Sequence, residues 1–323
     1  MFEGYFKIPE IPKNNNFTLI RMICCLIVIY EHSIVLSDVD FPILNIRGFA
    51  VFVFFILSGF WVTISLLRSV SIKEYASKRC KKILPPYFIV VLFAAIGLFA
   101  VSTLSLKEYF TDSGFLKYLA ANLSTLNFLH PSLPGVFEGL PLGGAVNGAL
   151  WTIKVELAFY VCLPIFLLFL NKYHERTKVI MIGLYILSIA YSICCHFLAF
   201  TTPAFSPLQN QFPSFMTYFV CGMCFVFYWK KLLKVLHYVV IPAFAILVLC
   251  LYFDKWLLTT VFLPVVLTFV VFWFAVKLPV FGRVITKDFS FGMYLVHYPI
   301  VMPIPSRDFL IPAGNWHSPV FWD

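Results

Sequence analysis

Long apolar stretches recur along the chain and alternate with shorter segments that carry most of the charged residues. A run of roughly 20 apolar residues is long enough to cross the hydrocarbon core of a bilayer as a helix. The pattern therefore predicts nine membrane spans. Their expected limits are residues 17–37, 48–67, 83–103, 149–170, 178–199, 212–229, 236–253, 256–276 and 289–305.

The predicted fold class is all-α, a polytopic bundle of membrane helices. Open strands in lipid would leave backbone groups unpaired, and the alternating ten-residue pattern of a membrane barrel does not occur in the sequence. A content of 61% hydrophobic and 12% charged residues excludes an ordinary water-soluble domain. Without repeats or linkers, residues 1–323 are expected to form one domain. Nine spans and an apolar chain end also lead us to expect a tenth span beyond the sequence.

The basic residues indicate the topology. Most of the 24 Lys and Arg residues fall in every second inter-span segment, and the positive-inside rule then places the N-terminus in the cytoplasm of a cell membrane. This predicts a cytoplasmic basic loop at residues 68–82 and an outer loop at residues 104–148. The net charge of +9 is thereby explained by contacts with membrane lipids, and no nucleic-acid partner is predicted.

Two ionisable residues of the first span are candidates for function, because burying such groups in a bilayer costs ~2.5–3.5 kcal/mol each on insertion scales. Arg21 and His32 are eleven residues apart, which places them within about 20° of one helix face and about 16 Å apart along the axis. Arg21 could bind an anionic donor or extend to lipid headgroups. His32 could be a packing residue, but a neutral imidazole in a span is also the form required of a general base.

Two further segments carry candidate chemistry. Thr152, Glu156 and Tyr160 recur every four residues and form a polar stripe, which could belong to a site or could hydrogen-bond between helices. The basic segment that contains Arg79 and Lys82 suits phosphates, although anchoring to anionic lipids is the simpler alternative. The histidines show no ligand spacing, so no metal site is expected.

Five segments, taken together and in order, resemble acyltransferase family 3, membrane enzymes that acylate sugars. They are Arg21 with His32, the segment 50–60 that ends in Ser58-Gly59-Phe60, the basic segment 79–85, the segment 147–156 followed by Tyr160, and the segment 290–297 that ends in Tyr294-Leu295-Val296-His297.

The resemblance implies an O-acyltransferase that moves an acyl group, with acetyl expected, from cytoplasmic acyl-CoA to a hydroxyl of a cell-surface or lipid-linked glycan. It implies acyl-CoA as donor substrate and no permanently bound cofactor. The implied catalytic residues are His32 and Glu156, the donor-binding residues are Arg21, Arg79 and Lys82, and the acceptor-binding residues are Ser58, Trp151, Thr152, Tyr160 and His297.

Two other functional classes stay open from the residues alone. Polar residues in spans also mark the pathway of a transporter or flippase, here for a lipid-linked saccharide, although the paired, interrupted helices of repeated transporter halves are not evident in the sequence. A purely structural membrane partner is the third alternative, and it would not need a neutral histidine on the face that carries Arg21.

Overall fold

The computed structural model describes residues 5–37, 48–140, 144–253, 255–278 and 287–302. Within these ranges the regular secondary structure is entirely helical, which confirms the predicted all-α class. The α-helices are α1 Phe17–Ser37, α2 Phe49–Leu67, α3 Ile72–Gly97, α4 Leu106–Thr111, α5 Ser113–Leu123, α6 Trp151–Lys172, α7 Thr177–Thr201, α8 Phe212–Phe227, α9 Trp229–Phe253, α10 Trp256–Val276 and α11 Ser290–Val301.

Seven helical segments of the described chain are long and apolar enough to cross a bilayer: Phe17–Leu36, Phe49–Leu67, Ile72–Val101, Gly148–Lys172, His174–Thr201, Trp229–Phe253 and Trp256–Val276. The molecule is therefore a multi-pass membrane protein. The predicted count of nine is not confirmed. The predicted span 212–229 is the 16-residue helix α8, and the predicted span 289–305 contains the 12-residue helix α11, while residues 303–305 lie outside the described ranges.

Several helices begin earlier than their apolar stretches. α3 starts at Ile72 although the apolar run starts at residue 83, and α9 starts at Trp229 although the predicted span started at residue 236. Hydropathy locates the part of a helix that can lie in lipid, whereas the i to i−4 backbone bonds continue through charged residues. As a result, Arg79 and Lys82 of the predicted basic loop lie on a helix.

The described chain divides into two compact units. The first comprises the described parts of Met1–Cys24, Ile43–Arg79 and Val155–Asp288, and within it α2 packs against α8. A Cβ on Gly59 would collide with the backbone carbonyl of Phe219, and one on Gly222 would collide with that of Ile56. These two glycines allow the backbones of the two helices to approach closely, as small residues do in membrane bundles.

Asn16, in the same unit, joins the start of α1 to the end of α10. Its backbone N–H donates to the Ala275 carbonyl at 2.8 Å, and its side-chain amide donates to the carbonyls of Phe274 and Leu278. The last carbonyls of a helix have no intrahelical partner, so Asn16 provides donors for carbonyls at and just after this helix end.

The second unit comprises the described parts of Cys25–Pro42, Cys80–Lys154 and Phe289–Asp323. It contains the predicted outer loop, where Ser105 and Glu108 form a capping box at the start of α4 and Asp112 caps α5. The Asn147 side-chain amide donates to the Leu295 carbonyl at 2.8 Å and thereby joins the end of this loop to α11.

Candidate functional site

Two histidines of the second unit form a hydrogen-bonded pair. His32 lies on α1 and is half-buried, whereas His297 lies on α11 and is 4% exposed. The distance from His32 Nδ1 to His297 Nε2 is 2.7 Å. The resemblance placed His297 among the acceptor-binding residues, and the structure places its ring directly against the predicted base.

The partners of the two rings determine which nitrogen of His32 is basic. His297 Nδ1 lies 2.7 Å from the backbone carbonyl oxygen of Tyr294, which can only accept, so this nitrogen carries a proton. In the neutral ring, His297 Nε2 is then an acceptor, and His32 Nδ1 must donate to it. It follows that the remaining nitrogen of a neutral His32, Nε2, carries the lone pair.

Thr152 extends this polar cluster. Its hydroxyl lies 2.8 Å from the Tyr294 hydroxyl, and either oxygen can be the donor in this contact. Each of the two hydroxyl oxygens also lies 3.1 Å from the Ala149 carbonyl oxygen, which can only accept. Trp151 occupies the first position of α6, beside Thr152 in sequence. The start of α6 is thus bonded to the helix that carries His297, and Thr152 belongs to the group of residues around the histidine pair.

Two buried polar groups beside this cluster were not predicted from the sequence. Tyr298 is fully buried, and its ring packs edge-on against His32 with a centroid distance of 5.2 Å. Among the described residues, its hydroxyl has no hydrogen-bond partner, and neither does Oδ1 of the 5% exposed Asn147. A tyrosine in an apolar helix usually indicates packing, so only its i+4 spacing from Tyr294 signalled a polar face.

Glu156 is the centre of a polar cluster in the first unit. Its Oε1 accepts hydrogen bonds from the Tyr160 hydroxyl and, at 3.4 Å, from Ser58. Tyr160 is in turn held at its backbone carbonyl by the hydroxyl of Tyr75 at 3.1 Å. Three predicted residues, Ser58, Glu156 and Tyr160, therefore share one cluster, in which one carboxylate oxygen accepts from two hydroxyl groups.

The predicted donor-binding residues differ in their surroundings. Arg79 donates to the Ser65 hydroxyl at 2.9 Å and its guanidinium lies 5.8 Å from the centroid of the Tyr160 ring. Arg79 Nε is buried with no partner among the described residues. Lys82 is exposed one turn further along α3. In these contacts the Arg79 guanidinium meets an aromatic ring and a neutral hydroxyl, and neither of them is a carboxylate that would neutralise its charge.

Arg21 already has a carboxylate partner, which the sequence did not indicate. Its Nη1 lies 3.1 Å from Oδ2 of Asp288 within the first unit, and the two side chains are 24% and 30% exposed. The pair is accessible enough that an anionic ligand could compete for the guanidinium. No group of three or more metal-ligating side chains occurs in the described part of the chain.

The two polar clusters and the apolar helices define a multi-pass membrane protein with ionisable side chains inside its spans. A family profile described as an acyltransferase domain matches residues 14–322. The chain belongs to this family, which is acyltransferase family 3.

Two curated proteins match part of the chain. Nodulation protein 10 of Rhizobium leguminosarum bv. viciae is 29% identical over 169 residues, which cover 47% of this chain and 44% of that protein. A protein named O-acetyl transferase from Shigella phage Sf6 is 24% identical over 162 residues, which cover 46% of this chain and 44% of that protein. The match thus spans less than half of each relative. No solved structure matches the chain.

Proposed function

We propose that this protein is an O-acyltransferase that transfers an acyl group, with acetyl expected, from acyl-CoA to a hydroxyl of a cell-surface or lipid-linked glycan. The observation that carries the proposal is the hydrogen-bond chain from the Tyr294 carbonyl through His297 to His32, which leaves the lone pair on His32 Nε2. Family membership and the name of the phage relative support the reaction type.

In the proposed reaction, His32 Nε2 takes the proton of the acceptor hydroxyl as that oxygen attacks the thioester carbonyl. The new C–O ester bond forms, the C–S bond breaks, and the proton passes from His32 to the departing thiolate of coenzyme A. His297 holds the base in the required tautomer and shares the positive charge while His32 is protonated. In a second form of the reaction, His32 Nε2 itself attacks the thioester carbonyl, so that a C–N bond forms, the C–S bond breaks and coenzyme A leaves as the thiolate. The acceptor oxygen then attacks this acyl group, the C–N bond breaks, and the acceptor proton passes to the thiolate. This form also requires an unprotonated Nε2.

The donor is proposed to bind through its phosphates from the cytoplasmic side. Arg79 supports this assignment, because its guanidinium is fixed by Ser65 and Tyr160 and has a buried Nε with no partner among the described residues. A guanidinium that is oriented but not neutralised is suited to a phosphate. Lys82 and Arg21 are proposed as further cations for the same donor.

The test of the base is His32→Ala in a host whose surface polysaccharide carries the ester. We expect ester content to fall to background, because general base catalysis contributes about 10²- to 10⁴-fold. The matched control is His196→Ala, since His196 stacks on Trp256 at 3.9 Å and belongs to neither cluster. Normal insertion of both variants, with ester content retained by His32→Ala, would remove His32 from the mechanism.

Purified protein tests the donor. Acetyl-CoA should bind about tenfold more weakly to Arg79→Gln and to Lys82→Gln, because a charge-assisted contact contributes ~1.5–3 kcal/mol when fully formed and less when exposed. Lys78→Gln is the control on the same helix, since Lys78 is paired with Glu74 at 2.6 Å. Equal loss in all three variants would indicate non-specific attraction, and the phosphate assignment would be wrong.

Radiolabelled acetyl-CoA without acceptor separates the two forms of the reaction. Label retained on wild-type protein and lost in His32→Ala would identify an acyl-histidine intermediate. Absence of label, combined with full transfer once the acceptor is added, would identify direct attack.

A further inference from the structure

A donor and an acceptor of hydrogen bonds are buried without partners beside the histidine pair. Tyr298 is fully buried and Asn147 is 5% exposed, and neither the Tyr298 hydroxyl nor Asn147 Oδ1 has a partner among the described residues. Leaving such groups unsatisfied is costly, so native proteins bury few of them outside sites that a ligand or water completes.

Both groups lie where α11 meets the segment Gly148–Leu150. The Asn147 amide nitrogen donates to Leu295 on α11, which directs Oδ1 away from that bond. A Cβ on Gly148, the next residue, would lie 2.9 Å from the Tyr298 hydroxyl oxygen. Tyr298 is three residues after Leu295, and so lies about one helical turn along α11 from the carbonyl that holds Asn147.

The chemistry of the pair selects its ligand. Asn147 Oδ1 can only accept, and the Tyr298 hydroxyl can donate. A phosphate or carboxylate would be repelled by Oδ1, and an ammonium group could not accept from Tyr298. A neutral hydroxyl fits both, since it donates one hydrogen bond and accepts another.

We propose that Asn147 Oδ1 and the Tyr298 hydroxyl form a subsite for one hydroxyl group of the acceptor glycan, next to His32. The edge-on contact between the Tyr298 and His32 rings, at 5.2 Å, connects the subsite to the proposed base. This inference rests on the proposed function, and it adds that the acceptor is a polyhydroxylated molecule recognised at a second hydroxyl.

The test uses full-length protein in membranes of its host, labelled acetyl-CoA, and host surface polysaccharide from which the esters have been removed by mild alkali. In Tyr298→Phe we expect KM for the polysaccharide to rise about five- to tenfold, as for one neutral hydrogen bond. KM for acetyl-CoA should stay unchanged, and kcat should stay within about twofold, because the lost contact serves binding.

Tyr87→Phe is the matched control. Tyr87 is a buried tyrosine of the same unit, but its hydroxyl already donates to the Asn122 carbonyl at 2.8 Å. We expect Tyr87→Phe to lower the Tm and leave both KM values unchanged. Tyr298→Phe should show the reverse, with a Tm that is unchanged or raised in the absence of acceptor, because it removes a buried hydroxyl that has no partner among the described residues.

Binding of the same polysaccharide without donor distinguishes the two levels of proposal. Wild-type protein that binds it several-fold more tightly than Tyr298→Phe but transfers no acetyl would sink the proposed function and keep the subsite. Equal KM and equal Kd in the two proteins, or no binding by wild type, would overturn the subsite. A lowered Tm of Tyr298→Phe with unchanged KM would mean that the pair holds a structural water, which also overturns it.

Discussion

Replacing His297 tests which nitrogen of His32 is available for catalysis. The His32 Nδ1–H donates to His297 Nε2 at 2.7 Å, and His297 Nδ1 donates to the Tyr294 carbonyl at 2.7 Å. His297→Ala removes the acceptor and leaves the Nδ1–H of a half-buried ring unpaired. His297→Gln keeps an acceptor oxygen near the position of His297 Nε2. The side chain in His297→Asn is shorter, so its amide lies near the position of Nδ1 and does not replace the acceptor for His32.

The expected magnitudes follow from the cost of the unpaired group. A buried donor without a partner costs about 1–3 kcal/mol. In His297→Ala this cost favours the other tautomer of His32, in which Nε2 carries the proton and cannot act as the base. A free-energy difference of this size corresponds to a loss of about 5- to 150-fold in kcat. His297→Ala and His297→Asn should both lose activity within this range. His297→Gln should lose less than about tenfold. The double variant His32→Ala with His297→Ala should be no worse than His32→Ala, because the two rings act as a unit.

The assay is transfer of labelled acetyl groups at saturating donor, normalised to inserted protein, with Tm measured for each variant. Equal losses in His297→Ala and His297→Gln would refute the tautomer argument, since the acceptor atom would then not matter. Wild-type turnover in His297→Ala would show that His32 needs no partner.

Three further substitutions test other contacts. Glu156→Gln keeps an acceptor for the hydroxyl donors of Glu156 but removes the charge. We expect the rate of acetyl transfer to fall by more than about tenfold in protein that inserts normally, and wild-type turnover would exclude a role for the charge. Gly59→Ala forces a methyl group into the Phe219 carbonyl and should lower the Tm by the equivalent of ~1–3 kcal/mol, whereas an unchanged Tm would contradict the close helix approach. Asp288→Asn breaks a partly exposed ion pair with Arg21 and should lower the free energy of unfolding by less than ~1 kcal/mol. The affinity for acetyl-CoA should be retained or rise, and a large loss of affinity would contradict a donor-binding role for Arg21.

The helical class could be predicted from hydropathy because lipid leaves few other ways to pair the backbone. The number and limits of the spans could not. α8 is only 16 residues long, and its place in the fold depends on Gly222 fitting against the backbone of Ile56 on α2. The beginning of α3 at Ile72 depends on backbone bonds that charged side chains do not interrupt. An average of apolar content along the chain contains no information about either the close helix approach or the start of α3.

The candidate site was predictable only in part. His32 and Arg21 were identifiable because ionisable groups are costly in a span. Their partners were not, since His297 lies 265 positions from His32, and Asp288 carries no local pattern that links it to Arg21. Composition and spacing contain no information about such distant contacts. The resemblance supplied His297 as a site residue, but its contact with the base is visible only in three dimensions.

The arrangement around His32 also bears on the transporter alternative. A pathway for a neutral sugar presents polar groups one after another to a moving solute and to water, and only a transporter that is coupled to proton movement needs a lining group with a defined protonation state. Here the backbone carbonyl of Tyr294, His297 and His32 form a chain in which each hydrogen-bond role dictates the next, and the chain ends at one nitrogen. Such an order is of use to a group that must remove a proton at a defined point, and it gives a passing sugar no advantage. For this reason the described geometry favours a transferase over a flippase.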